Sequence, residues 1–197
     1  EKKKTGSQNI FYEEKGAFTG EISPLMLQNI VTYALIGHSE RRHIFGEADI
    51  NINKKVKAAL KHDLIPMLCV GETLEERESG NTFAKVKEQI EQDLEGLEPE
   101  EINRVAIAYE PVWAIGTGKT ATPEQAQEVH AYIRGLLKDM TDSFEDIPLL
   151  YGGSVKPENS SDILSQIDIN GVLIGGASLQ VDAFFAIICS SYEIVDQ

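Results

Sequence analysis

The residue whose neighbours imply most chemistry is Glu110. It closes a short apolar run, Val105 to Tyr109, and is followed at once by Pro111 and an eleven-residue stretch, Pro111 to Ala121. Beyond that stretch lies a helix start: Thr122 as N-cap, Pro123 at the first helical position and Gln125 three residues after the cap. A carboxylate at the C-terminal end of a strand, under a glycine-containing loop with stiff ends, is the layout of a base beneath a closing loop. A lone glutamate is more often a solvated surface residue. The run Pro-Val-Trp-Ala-Ile-Gly-Thr-Gly-Lys-Thr behind it shifts the balance. Gly118 and Lys119 also invite comparison with a nucleotide-binding P-loop, but that motif needs a glycine at position 113, which is Trp113.

Two further groups carry chemistry by position. His38 follows an apolar run and precedes a helical stretch, within Gly37-His38-Ser39-Glu40-Arg41-Arg42. A single histidine is usually a packing or solvent residue, and His43, His62 and His130 have no metal-ligand spacing with it, so no metal is expected. Tyr151-Gly152-Gly153-Ser154 and Gly175-Gly176 each follow a strand candidate. Glycine pairs there are often only tight turns. Two pairs after adjacent strands also fit an anion site made of backbone N–H groups at the rim of a barrel.

Strand and helix patterns alternate from end to end to position these groups. The strand candidates are Gly6 to Tyr12, Thr32 to Ile36, Ile65 to Val70, Val105 to Tyr109, Pro148 to Tyr151 and Gly171 to Ile174. Most are almost continuously apolar, as parallel strands buried on both faces are. Amphipathic helices are expected over Ile50 to Lys61, Phe83 to Leu94, Pro123 to Lys138, Pro157 to Gln166 and Val181 to Ser191. The order implies right-handed βαβ units, a parallel sheet and one α/β domain over residues 1–197. Glu13 to Ser23 is a long loop with Phe18 near its tip, and an exposed phenylalanine commonly has a partner.

Composition narrows the classes. The 197 residues are 42% hydrophobic with a net charge of −14, enough for a real core and unfavourable for nucleic acid or an anionic membrane. An anionic substrate would depend on local donors against that field. With two cysteines, Cys69 and Cys189, no disulfide framework is expected and a reducing cytoplasm fits. No apolar run reaches the roughly 18 residues that span a bilayer.

The segment Ala108 to Gln125 resembles the catalytic strand and loop of the triose-phosphate isomerase family, and the resemblance extends over essentially the whole chain. It implies a (β/α)8 TIM barrel, here incomplete with about six strand–helix units and beginning at the family's third strand. The chain opens on Glu1-Lys2-Lys3-Lys4, which reads as part of a longer protein. The resemblance implies Glu110 as the base and His38 as a neutral electrophile, with the helix dipole keeping the ring uncharged. It implies substrate phosphate held by backbone N–H groups at Gly116, Ser154 and Gly176, with Gly175 beside them, and it implies no cofactor. It also implies a homodimer through loop Glu13 to Ser23 and reads Cys69 as packing and Glu72 as capping or network. The family's first strand brings an asparagine and a lysine that have no counterpart here. Two readings therefore stay open: an isomerase of triose phosphates in glycolysis, and a catalytically impaired barrel fragment that keeps the phosphate site.

Overall fold

The computed structural model describes residues 3–115 and 120–195, with side chains through 191. Six parallel strands form one sheet in sequence order: β1 (Gly6–Ser7), β2 (Tyr33–Ile36), β3 (Ile65–Val70), β4 (Ala106–Tyr109), β5 (Leu149–Tyr151) and β6 (Gly171–Val172). The helices are α1 (Pro24–Leu27), α2 (Ser39–His43), α3 (Asp49–Lys61), α4 (Leu74–Glu78), α5 (Thr82–Asp93), α6 (Pro99–Ile102), α7 (Pro123–Lys138), α8 (Pro157–Leu164) and α9 (Val181–Val195). With each strand paired to the next in sequence and helices between them, this is an incomplete TIM barrel.

The central strands hold the sheet. All four residues of β4 are buried, because one face meets the barrel interior and the other the helix layer. Helix α7 turns Ala126, Val129, Ile133 and Leu137 inward, a spacing of three and four residues that makes one stripe. Its start is the capping box expected from sequence: the Gln125 amide donates to Thr122 Oγ1 at 3.2 Å, and the Thr122 amide donates to Gln125 Oε1 at 3.0 Å. Ile52, Val56 and Leu60 of α3 and Val86 and Ile90 of α5 complete the same core.

The ends of the sheet differ from the sequence expectation. The strand expected over Gly6 to Tyr12 stays in the sheet only at Gly6–Ser7, because the Phe11 amide donates to the Ile22 carbonyl at 2.8 Å and turns the chain into the following loop. The strand expected over Gly171 to Ile174 is registered only at Gly171–Val172. Among the described residues β1 pairs only with β2 and β6 only with β5, so the sheet has two free edges. The segments that follow β1 and β6 in sequence carry exposed apolar side chains: Leu25, Met26 and Ile30 after β1, and Leu179, Val181 and Phe185 after β6.

Candidate active site

The parallel strands point their C-terminal ends to one rim, and the expected residues gather there. Glu110 follows β4 and is 2% exposed. Its backbone N–H donates to the Val70 carbonyl at 2.7 Å, tying it to the end of β3. Gly71 lies against it so closely that a Cβ there would fall 1.8 Å from the Glu110 carbonyl oxygen. Both carboxylate oxygens are engaged. Oε2 accepts from the Ser39 backbone N–H at 2.8 Å, and Oε1 lies 3.0 Å from His38 Nε2.

His38 is the N-cap of α2, and its Nδ1 accepts from the Glu40 backbone N–H at 3.3 Å. An acceptor Nδ1 puts the proton of a neutral ring on Nε2, facing Glu110. The sequence expectation was that the helix dipole keeps this ring uncharged. In this arrangement the Glu110 hydrogen bond raises the His38 pKa above its usual value, against the opposing effect of burial. Ring charge is thus governed by where the Glu110 carboxylate lies, and a Glu110 that moved away would take the raising influence with it.

The stretch after Glu110 is anchored by a residue that sequence placed only loosely. Glu72, fully buried, accepts from Tyr109 Oη at 3.0 Å, from Trp113 Nε1 at 2.9 Å and from Arg77 Nη1 at 3.1 Å. Arg77 also lies over the Trp113 ring at 4.7 Å. Glu72 is therefore a network residue under the first turn of the loop, Val112–Ala114, while Thr73 caps the next helix. Burial first, then the neighbouring Glu72 carboxylate, push the Tyr109 hydroxyl far above its usual range. Cys69 is fully buried, as expected, and burial first, then the adjacent Glu110, raise its thiol well above the ordinary value.

His38 and Glu110 line a cavity of about 1080 Å³ together with Ile115, Ser154, Gly175 and Gly176. Gly175 precedes a short 3-10 helix, Gly176–Leu179. Gly116 and Lys119 lie outside the described residues. The floor reaches the sheet interior at Tyr33, Leu35 and Met67, and Arg41 and Lys156 bring cationic side chains to the wall. Glu40 is exposed. The other histidines stay apart: His130 is buried with Nδ1 on the Ala126 carbonyl, and His62 meets Glu14 at 3.1 Å. Among the described residues no group of three or more His, Cys, Asp or Glu is arranged to hold a metal.

Sequence reasoning did not find the Ser39 amide, which is a backbone group and has no signature. Nor did it find Lys55, buried on α3, which donates to Asn9 Oδ1 at 2.7 Å and pairs with Glu47.

Comparison with known proteins agrees with this geometry. The family model described as Triosephosphate isomerase matches residues 1–191. The triosephosphate isomerase of Alkaliphilus metalliredigens (strain QYMF) is 54% identical over 188 residues, covering 94% of this chain and 76% of the relative. That of Roseiflexus castenholzii (strain DSM 13941 / HLO8) is 54% identical over 93% of this chain and 73% of its own length. That of Clostridium tetani (strain Massachusetts / E88) is 53% identical over 94% and 74%. The 197 residues thus correspond to about three quarters of these relatives, and the chain belongs to the triosephosphate isomerase family.

Proposed function

We propose that the site interconverts dihydroxyacetone phosphate and glyceraldehyde 3-phosphate by moving a proton between adjacent carbons. The observation that carries this reading is the contact between a buried carboxylate and an imidazole N–H, 3.0 Å apart at the wall of a cavity that glycines also line. Glu110 takes the proton from one carbon, and the C–H electron pair becomes the carbon–carbon double bond of an enediolate. His38 Nε2–H donates to the oxygen that gains charge. Glu110, whose captured proton can exchange with solvent, then delivers a proton to the neighbouring carbon. The hydroxyl proton of the first carbon passes to the former carbonyl oxygen, so nothing is oxidised or reduced overall. Acid–base steps of this kind contribute about 10² to 10⁴ in rate.

Both Glu110 oxygens are hydrogen-bonded in the present arrangement, so the carboxylate must leave Ser39 and His38 to act as base. Leaving also frees the His38 N–H for the substrate and removes the influence that favours a charged ring. Backbone N–H groups at Ser154 and Gly176, with Gly175 beside them and Gly116 from the loop, hold the phosphate. This local arrangement answers the repulsion expected from a net charge of −14. Among the described residues β1 and β6 have no second strand partner, and both edges adjoin the cavity. A further polypeptide of two strand–helix units across those edges would close it and bring additional positive charge, in the same chain or in another.

The role of loop Glu13 to Ser23 in a homodimer belongs to the same reading. Phe18 is exposed yet packs on Phe11 with ring centroids 4.7 Å apart, which preshapes the loop tip for a partner subunit. No helix among the described residues is long and apolar enough to cross a membrane, and a cytoplasmic glycolytic role is consistent with that. A coupled assay with glyceraldehyde 3-phosphate tests the activity. The expected result is weak turnover by the 197-residue chain, increased by a polypeptide carrying the two additional units. No turnover under either condition refutes the reading.

A further inference from the structure

Arg42 makes four hydrogen bonds with one guanidinium, and two of them go to the backbone beside the site. Its Nε donates to the Gly37 carbonyl and its Nη2 to the Cys69 carbonyl, each at 2.8 Å. The same Nη2 donates to Asp93 Oδ2 at 2.6 Å, and Nη1 pairs with Asp49. The Arg42 side chain is 8% exposed and that of Asp93 is 0%.

The position of the two carbonyls gives this cluster its meaning. The ladder between β2 and β3 ends at the pair Ile36 and Leu68. Gly37 and Cys69 are the next residues outward, where the two strands part. The guanidinium bridges the gap that the backbone ladder leaves. Gly37 directly precedes His38, and it adopts φ +75°, which glycine tolerates and other residues rarely do. A Cβ at Gly37 would also lie 2.9 Å from Arg42 Nη2, so the guanidinium packs flat against a residue with no side chain. Glu110, for its part, is bonded to the Val70 carbonyl, one residue beyond Cys69 on β3. His38 and Glu110 therefore take their positions from adjacent carbonyls of one strand, His38 by way of Arg42 and Glu110 directly.

We infer that Arg42 is a positioning residue for the acid–base pair: it fixes the His38 end of β2 against β3, the strand that also holds Glu110. Asp93 and Asp49 hold the guanidinium in turn. They come from α5 and α3, so the helix layer reaches the rim through one side chain. Lysine cannot replace it, because three donors on a single nitrogen cannot span two backbone carbonyls and two carboxylates. The groups that set the charge of the His38 ring directly are Glu110 and Glu40, and both differ from the groups that Arg42 touches.

The test is Arg42→Lys in the full chain, read by NMR titration of the His38 imidazole. Loss of the clamp loosens the contact with Glu110, so the His38 pKa falls toward its usual value. A variant that folds and whose His38 titration superimposes on that of the unmodified chain overturns the inference. A purely structural role for Arg42 would lower stability and leave that titration in place. Should Arg42→Lys not fold, the unmodified chain decides: the Arg42 Nε–H is expected to exchange slowly with solvent, and exchange as fast as that of an exposed arginine overturns the inference. The kinetic arm rests on the isomerase reading. There Arg42→Lys lowers kcat by up to about 100-fold, as a misplacement of about 1 Å can, with KM changed less than about twofold. If neither protein turns over, the isomerase reading fails, while the His38 titration still tests Arg42.

Discussion

The middle of the sheet and its two edges are built to different standards. Around β3 and β4, Glu110, Glu72, Cys69 and Asp93 are buried, and the three acids are each engaged by named donors. At β1 and β6 the strands shrink to two residues, and apolar side chains such as Val181 and Phe185 face outward. The acid–base pair belongs to the first region and Gly175 and Gly176 to the second. The groups proposed to transfer the proton have their backbones anchored in this buried layer, which limits where their side chains can reach. The glycines proposed to hold the phosphate lie next to the β6 edge, where a neighbouring element would complete the wall.

The largest effect should come from the buried region. Glu110→Gln keeps the shape and removes the base, so turnover in the coupled assay should fall about 10³-fold. His38→Asn should cost about 10²-fold, because one donor to the developing oxyanion is lost. Comparable losses from a mutation at the β6 edge would reverse the contrast drawn here.

Stability should divide the same way. Ile107, buried in β4, becomes a cavity on Ile107→Ala and should lower the free energy of unfolding by about 3 kcal/mol. Phe185→Ala, at an exposed position of α9, should change it by less than about 0.5 kcal/mol. Urea denaturation compares the two directly.

The contrast also has a pH signature. Burial lifts the Asp93 carboxyl from 3.8 to about 7, outweighing the opposing influence of Arg42. The folded chain keeps a proton there that the unfolded chain has already released. Stability from this group is therefore full below 3.8 and is lost as pH rises through about 7. Asp93→Asn should remove that slope, so its stability relative to the parent should be greater at about pH 8 than at about pH 4. An unchanged difference would place Asp93 outside this account. The smallest effect belongs to the edge: Ser154→Pro deletes a backbone donor and should weaken inorganic phosphate about tenfold, whereas Ser154→Ala should change it less than about twofold.

The same division decided what could be read from the chain. Ile65–Val70 and Ala106–Tyr109 are continuous apolar runs bounded by turns, and their buried environment leaves that mark directly. Helix α7 carries its start signal in Thr122, Pro123 and Gln125. The edge strands were overextended, because apolar residues at Ile10 and Ile174 pack on the core without remaining in the sheet ladder. Helices α2, α4 and α6 span four or five residues, too short for a 3.6-residue period to show. Glu110 and His38 were legible because each follows a strand and stands in a distinctive run of neighbours. Ser39 and Arg42 were not, since a backbone N–H and a hub arginine acquire their roles only when β2, β3, α3 and α5 meet.

If Glu110 moves a carbon-bound proton, solvent exchange measures that step without requiring efficient turnover. Dihydroxyacetone phosphate incubated with the chain in D2O, followed by proton NMR, should lose signal from its hydroxymethylene protons as deuterium enters. Glu110→Gln should abolish the exchange. Absence of exchange with the unmodified chain, or equal exchange with Glu110→Gln, would contradict the account.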